Sequence, residues 1–105
     1  MKAQTGPSSA KSAEERSAPY SVRLSDRAEG GWASLEASDP DTYALMRDRL
    51  KKLAFSPRKG LGITALTARE GFRVRQGDWR ALYLVDDTQR TVLVTDVLRR
   101  NESTY

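Results

Sequence analysis

The chain has 105 residues, 38% of them hydrophobic and 30% charged, with 18 Lys+Arg against 14 Asp+Glu, a net charge of +4, and neither Cys nor His. That is the size of one small domain. Its composition excludes a thiolate nucleophile, a Cys/His zinc centre, a disulfide framework and imidazole acid–base chemistry, leaving Arg, Lys, Tyr, carboxylates and hydroxyls as the reactive inventory.

From Met1 to Pro19 the only large apolar residue is Met1, and the rest is mainly Ser, Ala, Gly, Pro, Lys and Glu. Such a stretch buries too little surface to offset its conformational entropy, so residues 1–19 are expected to be a disordered tail and residues 20–105 the folded domain. No apolar run approaches the roughly 18 residues of a membrane span, and the N-terminus lacks the apolar core of a secretory signal. The expectation is a cytoplasmic protein with no membrane partner.

Tyr20-Ser21-Val22-Arg23-Leu24 alternates apolar with polar side chains and reads as a half-buried strand. Ser25 and Asp26 then offer a cap to a helix carrying Ala28, Trp32 and Leu35, weakened by roughly 1 kcal/mol at each of Gly30 and Gly31. Asp39 can cap the next helix, Pro40 suits its first position, and Tyr43, Met46, Leu50 and Leu53 recur at spacings of three and four. Arg47, Arg49, Lys51 and Lys52 lie off that stripe, and Pro57 stops the helix. A glycine-punctuated connection from Arg58 to Gly62 follows.

The second half reads as strands. Phe72 to Gln76 alternates apolar and basic residues, Gln76-Gly77-Asp78 signals a turn, Trp79 to Val85 is mostly apolar, and Thr91 to Leu98 is rich in β-branched residues. The order β-α-α-β-β-β predicts an α+β domain, a twisted antiparallel sheet with two N-terminal helices packed on one face.

Charge is concentrated: residues 1–41 carry −2, residues 42–60 carry +5 and residues 61–105 carry +1. A solvated helix face explains the basic segment by itself, and a polyanionic partner explains it only if these charges meet the later arginines. No metal, nucleotide-loop or triad motif is present, and Gly60-x-Gly62 lacks the further glycine and helix of a dinucleotide loop. Asp78, Asp86 and Asp87 read as turn formers.

What remains is arginine on strands. Arg73 and Arg75 project from one side while Phe72 and Val74 fill the other, as surface charges or as a binding pair. Arg80 lies in the next strand among Trp79, Ala81, Leu82 and Tyr83, where it needs either an acid such as Asp78 or an anion to meet. Arg99 and Arg100 end the following strand, so three strands can deliver guanidinium groups to one concave face.

Tyr20 to Tyr105, 86 of the 105 residues, resembles the RelE/ParE toxin superfamily, the toxic halves of bacterial toxin–antitoxin pairs. The resemblance rests on Leu53-x-x-Ser56-Pro57, on Phe72-Arg73-Val74-Arg75-Gln76-Gly77-Asp78-Trp79-Arg80-Ala81-Leu82-Tyr83, and on Val97-Leu98-Arg99-Arg100 with Tyr105. One branch of that superfamily cleaves messenger RNA in the ribosomal decoding site; the other poisons DNA gyrase without cleaving RNA. The retained basic set favours the first branch, with the gyrase toxin and an inactive antitoxin-binding module as alternatives.

By position, the resemblance implies that Arg73 and Arg75 are the paired basic residues, Arg80 the arginine after the turn, Arg99 the one ending the last strand, and Tyr105 the C-terminal tyrosine. It implies transesterification within RNA, with Arg80 and Arg99 stabilising charge on the phosphoryl oxygens and Tyr105 as a weak base whose pKa guanidiniums would lower. Arg47, Arg49, Lys51, Lys52, Arg58, Lys59 and Arg100 would contact RNA or the ribosome. The implied partners are the ribosome with its message and an antitoxin supplying an acidic amphipathic segment; no cofactor or metal is expected.

Overall fold

Two capping residues, Ser25 and Asp39, organise the helical half of the domain. In the computed structural model, which describes residues 19–100, the Ser25 hydroxyl accepts a hydrogen bond from the Ala28 amide at 3.1 Å and opens helix α1, Asp26–Ser38. Asp39 ends α1 and begins α2, Pro40–Leu53. Its amide donates to the Leu35 carbonyl at 2.8 Å, while its carboxylate accepts from the Thr42 amide and hydroxyl at 3.1 and 2.7 Å. Those Thr42 bonds hold the Asp39 carboxyl below its usual pKa. No helix among the described residues is long and apolar enough to cross a membrane.

The strands are β1 (Ser21–Leu24), β2 (Ile63–Ala65), β3 (Phe72–Gln76), β4 (Trp79–Asp86) and β5 (Thr91–Arg99), in the spatial order β1-β5-β4-β3-β2. The α+β class and the helices' place on one face agree with expectation; the sheet differs in two respects. It is mixed, because β1 pairs with β5 in parallel while the other pairs are antiparallel. Short turns fix β2 through β5 as antiparallel neighbours, whereas β1 reaches β5 only through both helices and three strands, a connection long enough for parallel pairing. It also contains β2, a three-residue strand inside what reads as a connection. Gly62, at φ +80°, lets its carbonyl accept from the Arg75 amide at 3.1 Å, and a Cβ there would lie 2.8 Å from the Arg75 carbonyl oxygen.

The core lies between helices and sheet. Leu35 from α1 and Met46, Leu50 and Leu53 from α2 are buried against Val74, Ala81, Tyr83, Val92, Val94 and Val97. Each large aliphatic chain so buried contributes about 1.5–3 kcal/mol. Tyr83 donates its buried hydroxyl to the Pro57 carbonyl at 2.6 Å, anchoring the chain as it leaves α2. Gly31 sits where α1 lies against β5; a Cβ there would overlap the Val97 carbonyl oxygen, while one at Gly30 would meet open space.

Asp87 does more than shape the β4–β5 turn. Its carboxylate takes two bonds from the Arg58 guanidinium, at 3.1 and 2.9 Å, and one from the Tyr20 hydroxyl at 2.5 Å, joining three distant segments. Arg58, and next Tyr20, hold the Asp87 carboxyl below its usual pKa. A depressed carboxylate contributes stability above its unfolded pKa of about 3.9 and loses it as pH falls through the folded value. Asp87→Asn is therefore expected to melt below wild type near neutral pH, with the gap closing in acid. Thermal melts from pH 7 to pH 2 check this; a gap of constant size would remove Asp87 from the acid response.

Candidate active site

The sheet face away from the helices is built in rows set by strand register. Thr64, Arg73, Leu82 and Asp96 are successive partners across β2, β3, β4 and β5, and Arg75, Arg80 and Leu98 form the next row. Arg75 and Arg80 are thus direct cross-strand partners, an arrangement that like charges make unfavourable. No carboxylate pairs with Arg73 or Arg75 among the described residues.

The end of β5 decides which arginine completes this face. Leu82 pairs with Asp96 but Tyr83 pairs with Val94, so Thr95 is an extra, bulged residue. Without it, simple alternation would put Thr95, Val97 and Arg99 on the open face. With it, Val97 is buried in the core and Arg99 follows to the helix side, as the partner of Trp79. The Arg99 guanidinium lies 5.7 Å from the Trp79 ring centroid and acts electrostatically on Asp39. Arg100, whose amide donates to the Asp78 carbonyl at 2.5 Å, takes the open side instead.

The electrostatics agree with that exchange. Burial, and then the charges of Arg73, Arg100 and Arg75, push the Arg80 guanidinium below its ordinary pKa. Arg80 nevertheless stays cationic near neutrality, given how far above 7 an arginine begins. Four guanidiniums converging on one face favour a phosphate, whose geometry each can match with two hydrogen bonds.

The basic segment does not extend this face, because α2 packs on the opposite side of the sheet. Arg47 is exposed, 6.0 Å from the Tyr43 ring centroid, and Lys51, Lys52 and Lys59 are exposed. Arg49 is committed to the fold, donating to the Gln76 side chain and the Leu61 carbonyl, both at 2.8 Å. Arg58 is likewise committed, to Asp87. The condition set for a shared polyanion site, that helix cations meet the strand arginines, is not fulfilled, since the sheet separates them. Tyr105 and residues 1–18 lie outside the described residues.

Sequence reasoning missed Asp96. It is 7% exposed and sits in the open-face row beside Leu82, ion-paired with Arg27 at 3.3 Å and Arg69 at 3.7 Å. An acidic residue midway through a β-branched strand was its one visible signal.

No protein-family model matches the chain, and no curated protein matches it significantly. Solved structures do. The toxin–antitoxin complex RelBE2 from Mycobacterium tuberculosis matches with 27% identity and a TM-score of 0.65, over 81% of this chain and 95% of that one. The isolated RelE toxin of E. coli matches with 20% identity and a TM-score of 0.65, over 81% and 88%. A YoeB/ParE toxin from Agrobacterium tumefaciens matches with 16% identity and a TM-score of 0.67, over 75% and 96%.

Proposed function

The chain has the fold of the RelE/ParE toxin superfamily, and from that premise we propose that it is the toxin of a toxin–antitoxin pair and cleaves messenger RNA on the ribosome. The observation that carries this reading is the convergence of arginines on one sheet face, with Arg75 and Arg80 direct cross-strand partners and Arg73 and Arg100 near enough to act on Arg80.

The reaction is attack of a 2′-hydroxyl on the adjacent phosphate. Its oxygen bonds to phosphorus as it gives up its proton, the bond to the 5′-oxygen breaks as that oxygen takes a proton from water, and the products are a 2′,3′-cyclic phosphate and a free 5′-hydroxyl. Negative charge builds on the non-bridging oxygens, where Arg80 and Arg100 can each donate two preorganised hydrogen bonds. Arg73 and Arg75 hold the flanking backbone. Guanidiniums are poor bases and the chain has no His or Cys; the resemblance to the family gives the role of accepting the 2′-hydroxyl proton to Tyr105, as its phenolate. A phenol is a weak base at neutral pH, which leaves much of the acceleration to alignment of the RNA by the ribosome. Lys51, Lys52, Lys59 and Arg47 are exposed on the helix side, away from the scissile phosphate, so any contact they make with ribosomal RNA would be separate from the arginine face. The antitoxin is an acidic amphipathic segment that covers the arginine face, and the compartment is the cytoplasm.

Purified ribosomes programmed with a defined message, followed by mapping of RNA ends, test the reading. Wild type is expected to cut within translated codons. Arg100→Ala is expected to slow cutting about 10- to 100-fold, and Arg99→Ala about twofold or less, because only the former faces the phosphate. The reverse order would place the active face on the helix side. Intact messages combined with trapped gyrase–DNA complexes would replace the nuclease reading with the gyrase one.

A further inference from the structure

Next to the arginine cluster, on the same sheet face, the loop between β2 and β3 encloses a cavity of about 350 Å³. That volume is at the small end of the roughly 300–1,000 Å³ typical of ligand pockets. Its floor is Leu82, 2% exposed but outside the helix-side core, with Leu66 beside it. Thr64 and Thr67 line its walls, and Arg73 stands at the boundary with the cluster. Thr64 and Leu82 are the two cross-strand partners of Arg73, so the same guanidinium belongs to both places.

The wall is held in place by the fold. The Leu66 amide donates to the Gly71 carbonyl at 2.9 Å, closing the loop. Gly71 lies at φ +123°, where a Cβ would come within 2.8 Å of the Tyr83 carbonyl oxygen. Arg69 pairs at 3.7 Å with Asp96, whose side chain is only 10% exposed and is also held by Arg27. The buried carboxylate is thus a positioning group for the loop, and the cavity exists before any ligand arrives.

We infer that this cavity receives one unstacked nucleobase of the RNA strand whose phosphate lies on the arginine cluster, and that Thr64 and Thr67 read its edge. The inference rests on the RNA-cleaving reading for the identity of the strand. Single-stranded RNA is recognised by splaying a base onto a flat apolar or guanidinium surface and satisfying its polar edge with neutral donors and acceptors. The half-buried Leu66, backed by the buried Leu82, supplies the apolar surface, Arg73 a guanidinium plane that also reaches phosphate, and the two hydroxyls the edge contacts.

Two measurements test the pocket. Methyl-labelled protein is titrated with 2′-O-methyl trinucleotides, which cannot be cleaved, carrying each of the four bases in the middle position. Saturable shifts at the Leu66, Leu82, Thr64 and Thr67 methyls that differ among bases are expected; shifts confined to residues outside the cavity overturn the inference whether or not the protein cuts messages. In the ribosome assay, Thr64→Val and Thr67→Val, which keep shape and remove the hydroxyl, are expected to change the relative cutting of codons differing at one base about 10-fold. Unchanged relative rates in both variants overturn the role of the hydroxyls. Base-dependent methyl shifts in a protein that leaves messages intact would sink the cleavage reading and keep the pocket.

Discussion

Replacing Arg80 by alanine is expected to reduce message cleavage about 100- to 1,000-fold while leaving the domain folded. The magnitude is that of removing one preorganised donor from a developing oxyanion, about 2.7–4 kcal/mol of transition-state stabilisation. Arg80 holds the central position: it is half-buried, it faces Arg75 across the strand pair, and it feels Arg73 and Arg100 as well. Arg80→Lys retains one charge but loses the planar fork, so most of the deficit should remain. Stability supplies the control. Arg80 lies on the sheet face away from the helix-side core, so the alanine variant should keep a cooperative melt near the wild-type temperature. Single-turnover cleavage on programmed ribosomes and a thermal melt of the same preparations measure both. A variant that cuts normally would remove Arg80 from the chemistry, and one that is unfolded would make its role structural.

The second large effect belongs to the fold. Gly31→Ala is expected to lose about 2 kcal/mol or more of stability, and Gly30→Ala to gain up to about 1 kcal/mol. Both replace a helical glycine with the best helix former, so propensity alone predicts two stabilising changes. The difference is that a Cβ at Gly31 collides with the Val97 backbone, which cannot rotate aside, while a Cβ at Gly30 meets nothing within 4 Å. Against a total of about 5–15 kcal/mol for a small domain, the first loss is substantial. Urea unfolding midpoints of the two variants are the measurement, and equal shifts in the same direction would contradict the close packing of α1 on β5.

Local chemistry carried most of the architecture. Asp39 followed by Pro40, and apolar residues at spacings of three and four, mark the start of α2 to the residue, since cap, first turn and stripe agree, while the helix ends at Leu53, ahead of Pro57. Alternation marks β3, and Gly77 between β3 and β4 marks their turn. What stayed hidden depends on pairing between distant segments. Ile63-Thr64-Ala65 is too short for periodicity and becomes a strand only because β3 offers it an edge. Arg58 reads as a surface cation until Asp87, 29 residues away, is brought beside it. The Gly30-Gly31 pair reads as a weak spot in a helix, and only the proximity of Val97 separates a necessary glycine from a dispensable one.

The same distinction governs the site. Arg73, Arg75 and Arg80 share a face because alternation holds through β3 and the start of β4. Carrying that rule to the end of β5 selects Arg99, and Thr95 defeats it, because one unpaired residue inverts every side chain that follows. Arg100, first read as a docking contact, is therefore the arginine beside Arg80. Arg49 is diverted in another way, since nothing local predicts that Gln76 and the Leu61 carbonyl would engage it.

Arg73, Arg75 and Arg100 lie near Arg80 on one sheet face, so an anion seated there would make the native domain more durable than the domain alone. Whatever binds the native form and not the unfolded chain shifts the folding equilibrium by mass action. On the proposed reading, an acidic antitoxin would then act twice, masking the arginine face and lengthening the molecule's life, and its departure would leave a domain both armed and shorter-lived.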